Sequence, residues 1–279
     1  MNRRFSFVAL LFSIPWWLVI LLGVGVYLVG LVASDPTYAS IFAQLQSGIS
    51  MTLLISFTSY ALALVVGLMA GVVRAYRPKP PRTRQLTRVL ASLLQLTLYN
   101  VVTLYVQVLR GIPIITTLLI VAFVIVPQIN NFTSETLGLD ARIRGTSPTA
   151  AIFALALVYG AFISETFRGG IQSIERGQIE AARSLGMSQG QIIRLIVLPQ
   201  ALRRILPPLG NDMVAMIKDS SLVAVLAIND ISQVAKVTSS GNFLYFQTYM
   251  IAAGIYLALT TTGSMLTRWL ERRLTVEAR

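Results

Sequence analysis

The feature that most constrains this chain is a series of apolar runs, each long enough to cross a lipid bilayer. Residues 7–33 form an uncharged run of 27 residues, whereas about 20 suffice to cross the hydrocarbon core as a helix. Comparable runs cover residues 48–73, 149–167 and 243–266, with Glu165 as their single charge. A backbone in lipid must satisfy its own hydrogen bonds, so these runs predict transmembrane helices. The predicted fold class is an all-α integral membrane protein.

The composition excludes several classes of function. Charged residues make up only 12% of the chain, against about a quarter in soluble domains. The chain has no cysteine and no histidine, so thiolate metal sites and Ser-His catalysis are excluded and no metal site is expected. The net charge of +12 does not indicate nucleic acid binding, because the basic residues lie beside the apolar runs, as in cytoplasmic loops of membrane proteins.

The basic residues also predict which loops are cytoplasmic. Residues 74–88 contain five arginines and one lysine but no acid, which predicts a cytoplasmic loop. Residues 89–126 have room for two crossings, but polar residues recur at helical spacing up to Arg110. This first part therefore predicts an amphipathic helix in the cytoplasmic interface, and only residues 112–126 cross. Two crossings would place the basic segment after residue 167 outside the cell.

Six transmembrane helices follow from this topology, with both termini in the cytoplasm. The predicted spans are residues 7–33, 48–73, 112–126, 149–167, 209–228 and 243–266. Arg3 and Arg4 precede the first span and could indicate a signal peptide, but the run is longer than the ~7–15 residues of a signal h-region. We predict outer loops at residues 34–47 and 128–148 and a short outer segment that contains Asp230 and Lys236. Pro207 and Pro208 are expected to break the chain before the fifth span.

A polar segment at residues 178–199, here called the elbow, interrupts the apolar runs. Gly186 can adopt the positive φ that ends a helix, and Ser188 with Gln191 forms a capping-box pattern that opens another. Pro199 is expected to kink or stop the second helix. Ile179, Ala182 and Leu185 can form an apolar stripe, flanked by the charges of Glu180 and Arg183. The elbow therefore predicts two short helices around a sharp turn.

The elbow resembles the EAA signature of permease subunits of ABC importers. The matching residues are Glu180, Ala181, Ala182, Gly186, Ile196, Leu198 and Pro199. Further sequence motifs resemble those of the polar amino acid permease subfamily. They are RGIP at 110–113, ETFRGGIQSIERGQ at 165–178, LPQA at 198–201 and KDSSL at 218–222. The resemblance covers roughly residues 46–270. It implies a transmembrane domain there, preceded by an additional helix and outer loop at 1–45 and followed by a cytoplasmic tail at 271–279.

The resemblance also implies partners and a mechanism. In this family the elbow is the coupling helix, seated in a groove of a separate ATPase. Further implied partners are a second permease subunit, an extracytoplasmic amino-acid-binding protein and the lipid bilayer of the bacterial plasma membrane. No lysine follows a glycine here, so the Walker A phosphate-binding motif is absent. ATP is accordingly expected on the partner ATPase, with no cofactor and no enzymatic activity on this chain. For Glu180, stabilisation of the helix N-terminus is the alternative role.

Ionisable residues inside spans are costly and therefore mark candidate substrate contacts. The pathway candidates are Glu165, Arg110, Lys218, Asp219, Ser220 and Ser221, and Arg168 and Asp212 are further buried charges. A loosened helix at Lys218–Ser221 could bind a zwitterion, or Lys218 and an acid could simply neutralise each other. Glu165 could accept a substrate ammonium, but pairing with Arg168 or Arg110 is the favoured interpretation.

The leading hypothesis is a permease that forms the translocation pathway of a polar amino acid importer as a dimer. An ion-coupled secondary transporter would also suit six spans with buried charges, but it usually shows paired repeats. A membrane scaffold without transport is a third possibility. Co-purification with an ATPase that substrate-loaded binding protein stimulates would distinguish the first hypothesis from the other two.

Overall fold

The computed structural model describes residues 16–81, 85–136 and 143–276, and within these residues the chain is helical without strands. This confirms the predicted all-α class. The first half contains helices α1 (Trp16–Ser34), α2 (Pro36–Leu45), α3 (Ile49–Ala75), α4 (Leu86–Gly111), α5 (Ile114–Ile120) and α6 (Val126–Thr136). The second half contains α7 (Pro148–Gln172), α8 (Arg176–Ser184), α9 (Gln189–Ile192), α10 (Leu198–Asp219), α11 (Ile231–Asn242) and α12 (Tyr245–Val276).

Helices α3 and α7 form the centre of the molecule and run in the same direction. Small residues bring them together: a Cβ atom at Gly67 would lie 2.5 Å from Cγ2 of Ile163, and one at Gly71 would lie 2.6 Å from Cβ of Phe167. Close approach over small residues is how membrane helices gain packing energy. Because both helices run the same way, the chain between them must return across the molecule.

Gly71 gives a test of this packing. We expect Gly71→Val to lower the stability by about 1–3 kcal/mol, the usual cost of overpacking. A Cβ atom at this position would meet Phe167 and would lie only 2.8 Å from the carbonyl oxygen of Ser164. Gly169→Val is the matched control, since a Cβ there meets nothing within 4 Å. Thermal unfolding in detergent measures both, and equal melting temperatures would contradict the expected contact.

The return crossing is made by α5, the π-helical turn Val121–Ile125 and α6. Arg110, in the last turn of α4, reaches Glu165 near the end of α7 (Nη1 to Oε1, 3.3 Å), so α4 still ends where α3 ends. Ala122 then contacts Gly145, just before α7 begins. This geometry places the ends of α3 and α4 together, as a single crossing in residues 89–126 requires, and the number of crossings stays a prediction. The position of α4 in the membrane interface stays a prediction.

Helix α10 runs antiparallel to α7 and continues as the 3₁₀ helix Ser220–Leu226. The expected break at Pro207 and Pro208 is wrong, because both prolines lie inside α10. Tertiary contacts hold the helix on both sides of them: Ile205 packs against Gly170, and the Tyr60 hydroxyl donates to the carbonyl oxygen of Leu209 (2.6 Å). Neighbouring helices can thus support a proline-containing helix in a membrane domain.

The predicted loop at residues 34–47 is wrong, because α2 occupies most of it. Asp35 caps this helix by accepting a hydrogen bond from the Thr37 amide (2.7 Å), and Pro36 occupies the first turn. Ile41 and Leu45 are buried against α11 and α12. The outer segment around Lys236 is likewise helical, as α11, and α6 extends to Thr136 within the predicted loop 128–148. Burial against neighbouring helices stabilises segments too polar to be recognised as spans.

Length and composition alone give a different set of spans from the predicted six. Five helices of the described chain are long and apolar enough to cross a membrane: Pro36–Ala75, Leu86–Gly111, Ile114–Thr136, Pro148–Gln172 and Tyr245–Arg273. This set includes α4 and lacks α10, whose charged residues lower its hydropathy. Of the first predicted span, residues 7–15 lie outside the described residues, and the remainder forms α1.

Candidate functional site

The elbow has the helix–turn–helix structure that its sequence predicts. Helix α8 ends at a Schellman turn, in which the Met187 amide donates to the Ala182 carbonyl oxygen (3.1 Å) and the Gly186 amide to that of Arg183 (2.9 Å). Gly186 has a φ of +77°, a conformation that costs glycine nothing. Ser188 and Gln191 then form the predicted capping box at the start of α9. Both local predictions are confirmed.

The elbow has its own small core. Ile174, Ala182, Ile192 and Val197 are buried together, and Ile179, Met187 and Ile196 pack against them. The predicted apolar stripe for a partner is therefore wrong in two of its three residues, because Ala182 is buried and Ile179 packs inside the elbow. Leu185 is 82% exposed. The side chains of Glu180, Ala181 and Arg183 also face outwards.

The chain leaves the elbow through a π-helical turn at Ile193–Val197. Pro199 lies in the first turn of α10, where its missing amide is tolerated. The proline thus accompanies a change of helix type but does not stop the helix. Leu198 is 48% exposed, and Pro199 is exposed beside it.

Side-chain hydrogen bonds connect the chain that enters the elbow with the chain that leaves it. Arg204 of α10 donates to the carbonyl oxygen of Ser173, at the end of α7. Gln200 donates to the side chain of Gln178, at the start of the elbow (2.8 Å). A force applied to the elbow would therefore reach α7 and α10 without first bending a flexible linker.

Glu165 lies in a cluster of three arginines near the elbow end of α7, here called the arginine cluster. Its Oε1 contacts Arg74 at 2.7 Å and Arg110 at 3.3 Å, and its Oε2 contacts Arg168 at 2.6 Å. The favoured interpretation, pairing of Glu165 with Arg168 or Arg110, is confirmed. Sequence reasoning missed Arg74 as a partner, and its position one helical turn after Gly71 in α3 was the available signal.

The helix changes at the predicted point beside Lys218 and Asp219. Regular α-helix ends at Asp219, and the more tightly wound 3₁₀ helix begins at Ser220, so the chain stays helical here and binding of a zwitterion at a loosened helix stays a prediction. Asp219 accepts a hydrogen bond from the Tyr159 hydroxyl (2.6 Å), a partner that the sequence did not indicate. Ser220 is buried and donates to the carbonyl oxygen of Ile217 (2.8 Å). Among the described residues, no salt bridge joins Lys218 to an acid.

Lys218 and Ser221 line an open cavity of about 360 Å³ between α10, α11 and α12. Ser232, Tyr249 and Tyr256 add hydroxyl groups to it. The Tyr256 hydroxyl donates to Asp230 (3.1 Å) and lies 3.0 Å from the Ser232 hydroxyl. Asp230 caps α11 from the connection before it, and burial raises the pKa of its carboxyl above the ordinary value. The cavity thus combines one cation with several hydrogen-bonding groups.

The described residues contain no group of three His, Cys, Asp or Glu side chains that could hold a metal ion. The elbow, the arginine cluster and the Lys218 cavity are three features of the described residues that could take part in function. The elbow offers an exposed helical surface with its own core, the arginine cluster an excess of positive charge, and the cavity one cation and several hydroxyl groups in a largely apolar wall.

Comparisons with known proteins identify the family. Residues 86–276 match the model of the binding-protein-dependent transport system inner membrane component. The chain is 33% identical over 232 residues to the glutamine transport system permease protein GlnP of Escherichia coli strain K12. This match covers 83% of this chain and 93% of GlnP. It is 35% identical over 233 residues to the probable glutamine ABC transporter permease protein GlnM of Bacillus subtilis strain 168. This match covers 84% of this chain and 94% of GlnM.

Solved structures agree with these matches. The chain is similar to a crystal structure of an amino acid ABC transporter with histidines, with a TM-score of 0.65 and 30% identity, covering 86% of this chain and 97% of that one. A structure of the MetNI methionine ABC transporter shares the fold, with a TM-score of 0.62 and 22% identity. The match covers 83% of this chain and 96% of the MetNI chain. The resemblance carried by the EAA signature is thereby confirmed: the chain belongs to the family of inner membrane components of binding-protein-dependent transport systems, the permease subunits of ABC importers.

Proposed function

We propose that this chain is the permease subunit of an importer for a polar amino acid and that it works as a dimer with a separate ATPase. The observation that carries the proposal is the elbow, an exposed helical turn with its own core. Gln178 of the elbow is bonded to Gln200 of α10, and Arg204 joins α10 to the end of α7. Relatives with 33% and 35% identity are named as glutamine permeases, which supports an amino acid as the substrate class.

In this proposal the seven signature residues of the elbow have two kinds of role. Glu180, Ala181, Leu198 and Pro199 are exposed and would contact the ATPase. Ala182 and Ile196 pack inside the elbow and would keep its shape, and Gly186 would supply the turn. ATP binds and is hydrolysed on the partner, and this chain carries no cofactor.

The proposed topology places the elbow and both termini in the cytoplasm of a bacterial cell. Helices α3 and α7 end beside each other at the arginine cluster, and the elbow follows α7 directly. The basic residues Arg77 and Lys79 follow α3 at the same end, as the positive-inside rule requires. We retain residues 46–270 as the transmembrane domain, with an additional helix before it and the tail 271–279 after it. An extracytoplasmic binding protein would dock at the opposite end.

The coupling proposal is tested by purifying the tagged chain from its host membrane and identifying the subunits that accompany it. We expect an ATPase and a second permease subunit, with ATPase activity raised by substrate-loaded binding protein. A chain that purifies without any ATPase, or an ATPase that the binding protein does not stimulate, would exclude the proposal in favour of an ion-coupled transporter or a scaffold.

The Lys218 cavity is the proposed site of substrate passage. Lys218 and Ser221 line it, so a substrate carboxylate would find a cation and a hydroxyl group there. Asp219, the next residue along the chain, accepts from Tyr159 of α7 and is not part of the cavity lining. Buried Ser220 supports the 3₁₀ turn. Both carboxylate oxygens of Glu165 are engaged by arginines, so the proposal leaves Glu165 and Arg110 outside the substrate contacts.

We expect Lys218→Met to raise the substrate concentration for half-maximal uptake by about tenfold, because a hydrogen bond to a charged group contributes about 1.5–3 kcal/mol. Uptake of radiolabelled amino acid into vesicles measures the change. Lys79→Met is the matched control, since Lys79 is exposed at the opposite end of the molecule. Identical concentration dependence in both variants would remove Lys218 from the pathway.

A further inference from the structure

We propose that the arginine cluster binds the phosphate of an anionic membrane lipid. The cluster brings three guanidinium groups, those of Arg74, Arg110 and Arg168, to the single carboxylate of Glu165. Within the described residues the cluster is therefore not neutral but retains an excess of positive charge. Charges at membrane depth are costly unless they are paired, so this excess calls for an anion beyond the acidic groups of the described residues.

The hydrogen-bonding groups of the cluster are also incompletely used. The Arg74 side chain is only 7% exposed, and its Nε has no hydrogen-bond partner in the described part of the chain. A buried donor without a partner destabilises the protein. Each of the three guanidinium nitrogens of Arg168, by contrast, contacts Glu165 or the Gln172 side chain. The Nε–H group of Arg74 is thus a hydrogen-bond donor for which the described residues provide no acceptor.

Arg110 provides the open side of the cluster. Its side chain is 40% exposed, and only Nη1 contacts Glu165. The guanidinium group lies over the Phe162 ring, 5.8 Å from the centroid, which holds it in place through a cation–π contact. Among the described residues, no acceptor pairs with its other nitrogens, and guanidinium groups bind phosphate through such paired donors.

The surroundings favour a lipid over a soluble anion. The cluster lies where α3 and α7 end, with Arg77 and Lys79 exposed just beyond, and anionic headgroups are attracted to basic residues at the cytoplasmic face. Helix α4, which carries Arg110, also has an exposed apolar stripe at helical spacing, formed by Leu90, Leu94, Leu98, Val101, Leu104 and Val108. The stripe lies on the face of α4 opposite Arg110, so it would keep α4 against the hydrocarbon while Arg110 faces the cluster. A lipid would therefore contact the cluster through its phosphate.

The experiment measures which lipid stays with the purified full-length chain. The chain is reconstituted in nanodiscs of phosphatidylethanolamine and phosphatidylglycerol, extracted in mild detergent, and analysed for retained lipid by native mass spectrometry. We expect phosphatidylglycerol to be enriched, and Arg110→Gln to reduce the enrichment about fivefold or more, the ratio expected from about 1 kcal/mol per arginine at a membrane surface. Arg110→Lys should restore most of it, because the charge is kept.

Arg88→Gln is the matched control, since it removes an exposed arginine from the first turn of the same helix. Equal retention by Arg110→Gln and Arg88→Gln would overturn the proposal, as would a failure of Arg110→Lys to restore it. Displacement of the retained lipid signal by inorganic phosphate would instead assign the site to a free anion. An altered concentration dependence of amino acid uptake with unchanged lipid retention would assign Arg110 to the substrate. Both results would also overturn the lipid assignment.

Discussion

Replacing Gly186 with tryptophan is expected to abolish coupling to the ATPase while the chain still inserts into the membrane. Gly186 lies at the tip of the elbow, and a Cβ there meets nothing within 4 Å. The indole would therefore not collide with this chain, but it would occupy the space that a docked ATPase needs. Loss of a central interface contact of about 3 kcal/mol reduces affinity by roughly a hundredfold. Co-purification of the ATPase and stimulated ATP hydrolysis measure the effect.

Two control variants separate docking from backbone strain. Gly186→Ala carries the cost of a positive φ in an L-residue, about 1–2 kcal/mol, without the added bulk, so we expect it to retain most of the coupling. Gly241→Trp places the same bulk in similarly open space at the end of α11, away from the elbow, and should leave ATPase binding unchanged. If Gly186→Trp binds the ATPase as well as Gly241→Trp does, the elbow is not the docking surface.

Replacing Glu165 with glutamine is expected to destabilise the fold more than the substitution of any exposed residue of this chain would. Arg74 is 7% exposed and Glu165 is 18% exposed, so removal of the carboxylate leaves a buried guanidinium without its counterion. Breaking a buried ion pair in this way costs about 3–5 kcal/mol. For a chain of this size that corresponds to a fall in melting temperature of roughly 6–20 °C. Thermal unfolding of the purified protein at one fixed scan rate measures it.

The double variant Arg74→Gln with Glu165→Gln tests the cause. With both charges removed, no unpaired charge stays buried, so we expect the double variant to melt above Glu165→Gln. Glu180→Gln serves as a second control, because Glu180 is exposed on the elbow and its replacement should leave the melting temperature unchanged. Equal melting of the Glu165→Gln and Glu180→Gln variants would mean that the arginine cluster does not stabilise the fold.

Local sequence signals predicted the elbow well, but they could not show which side chains it buries. The turn at Gly186 and the capping box at Ser188 depend on residues within a few positions of each other, and both are present. The packing of Ala182 with Ile174 and Ile192 depends on how two helices fold against each other, and periodicity alone placed Ala182 on the outer stripe. The helices at α2 and α11 were missed for a similar reason, because burial against α12 stabilises them.

The amino-acid sequence by itself determined the membrane class, most of the spans and the family. The length of the apolar runs, the basic residues of the loops and the EAA signature can each be recognised from residues that lie close together in the sequence. Only the tertiary structure decided which charges meet. Arg74 and Glu165 are 91 positions apart, and Tyr159 and Asp219 are 60 apart. Such pairs arise because α3, α7 and α10 pack side by side, and the energy of a charge in a membrane domain depends on its neighbours in space.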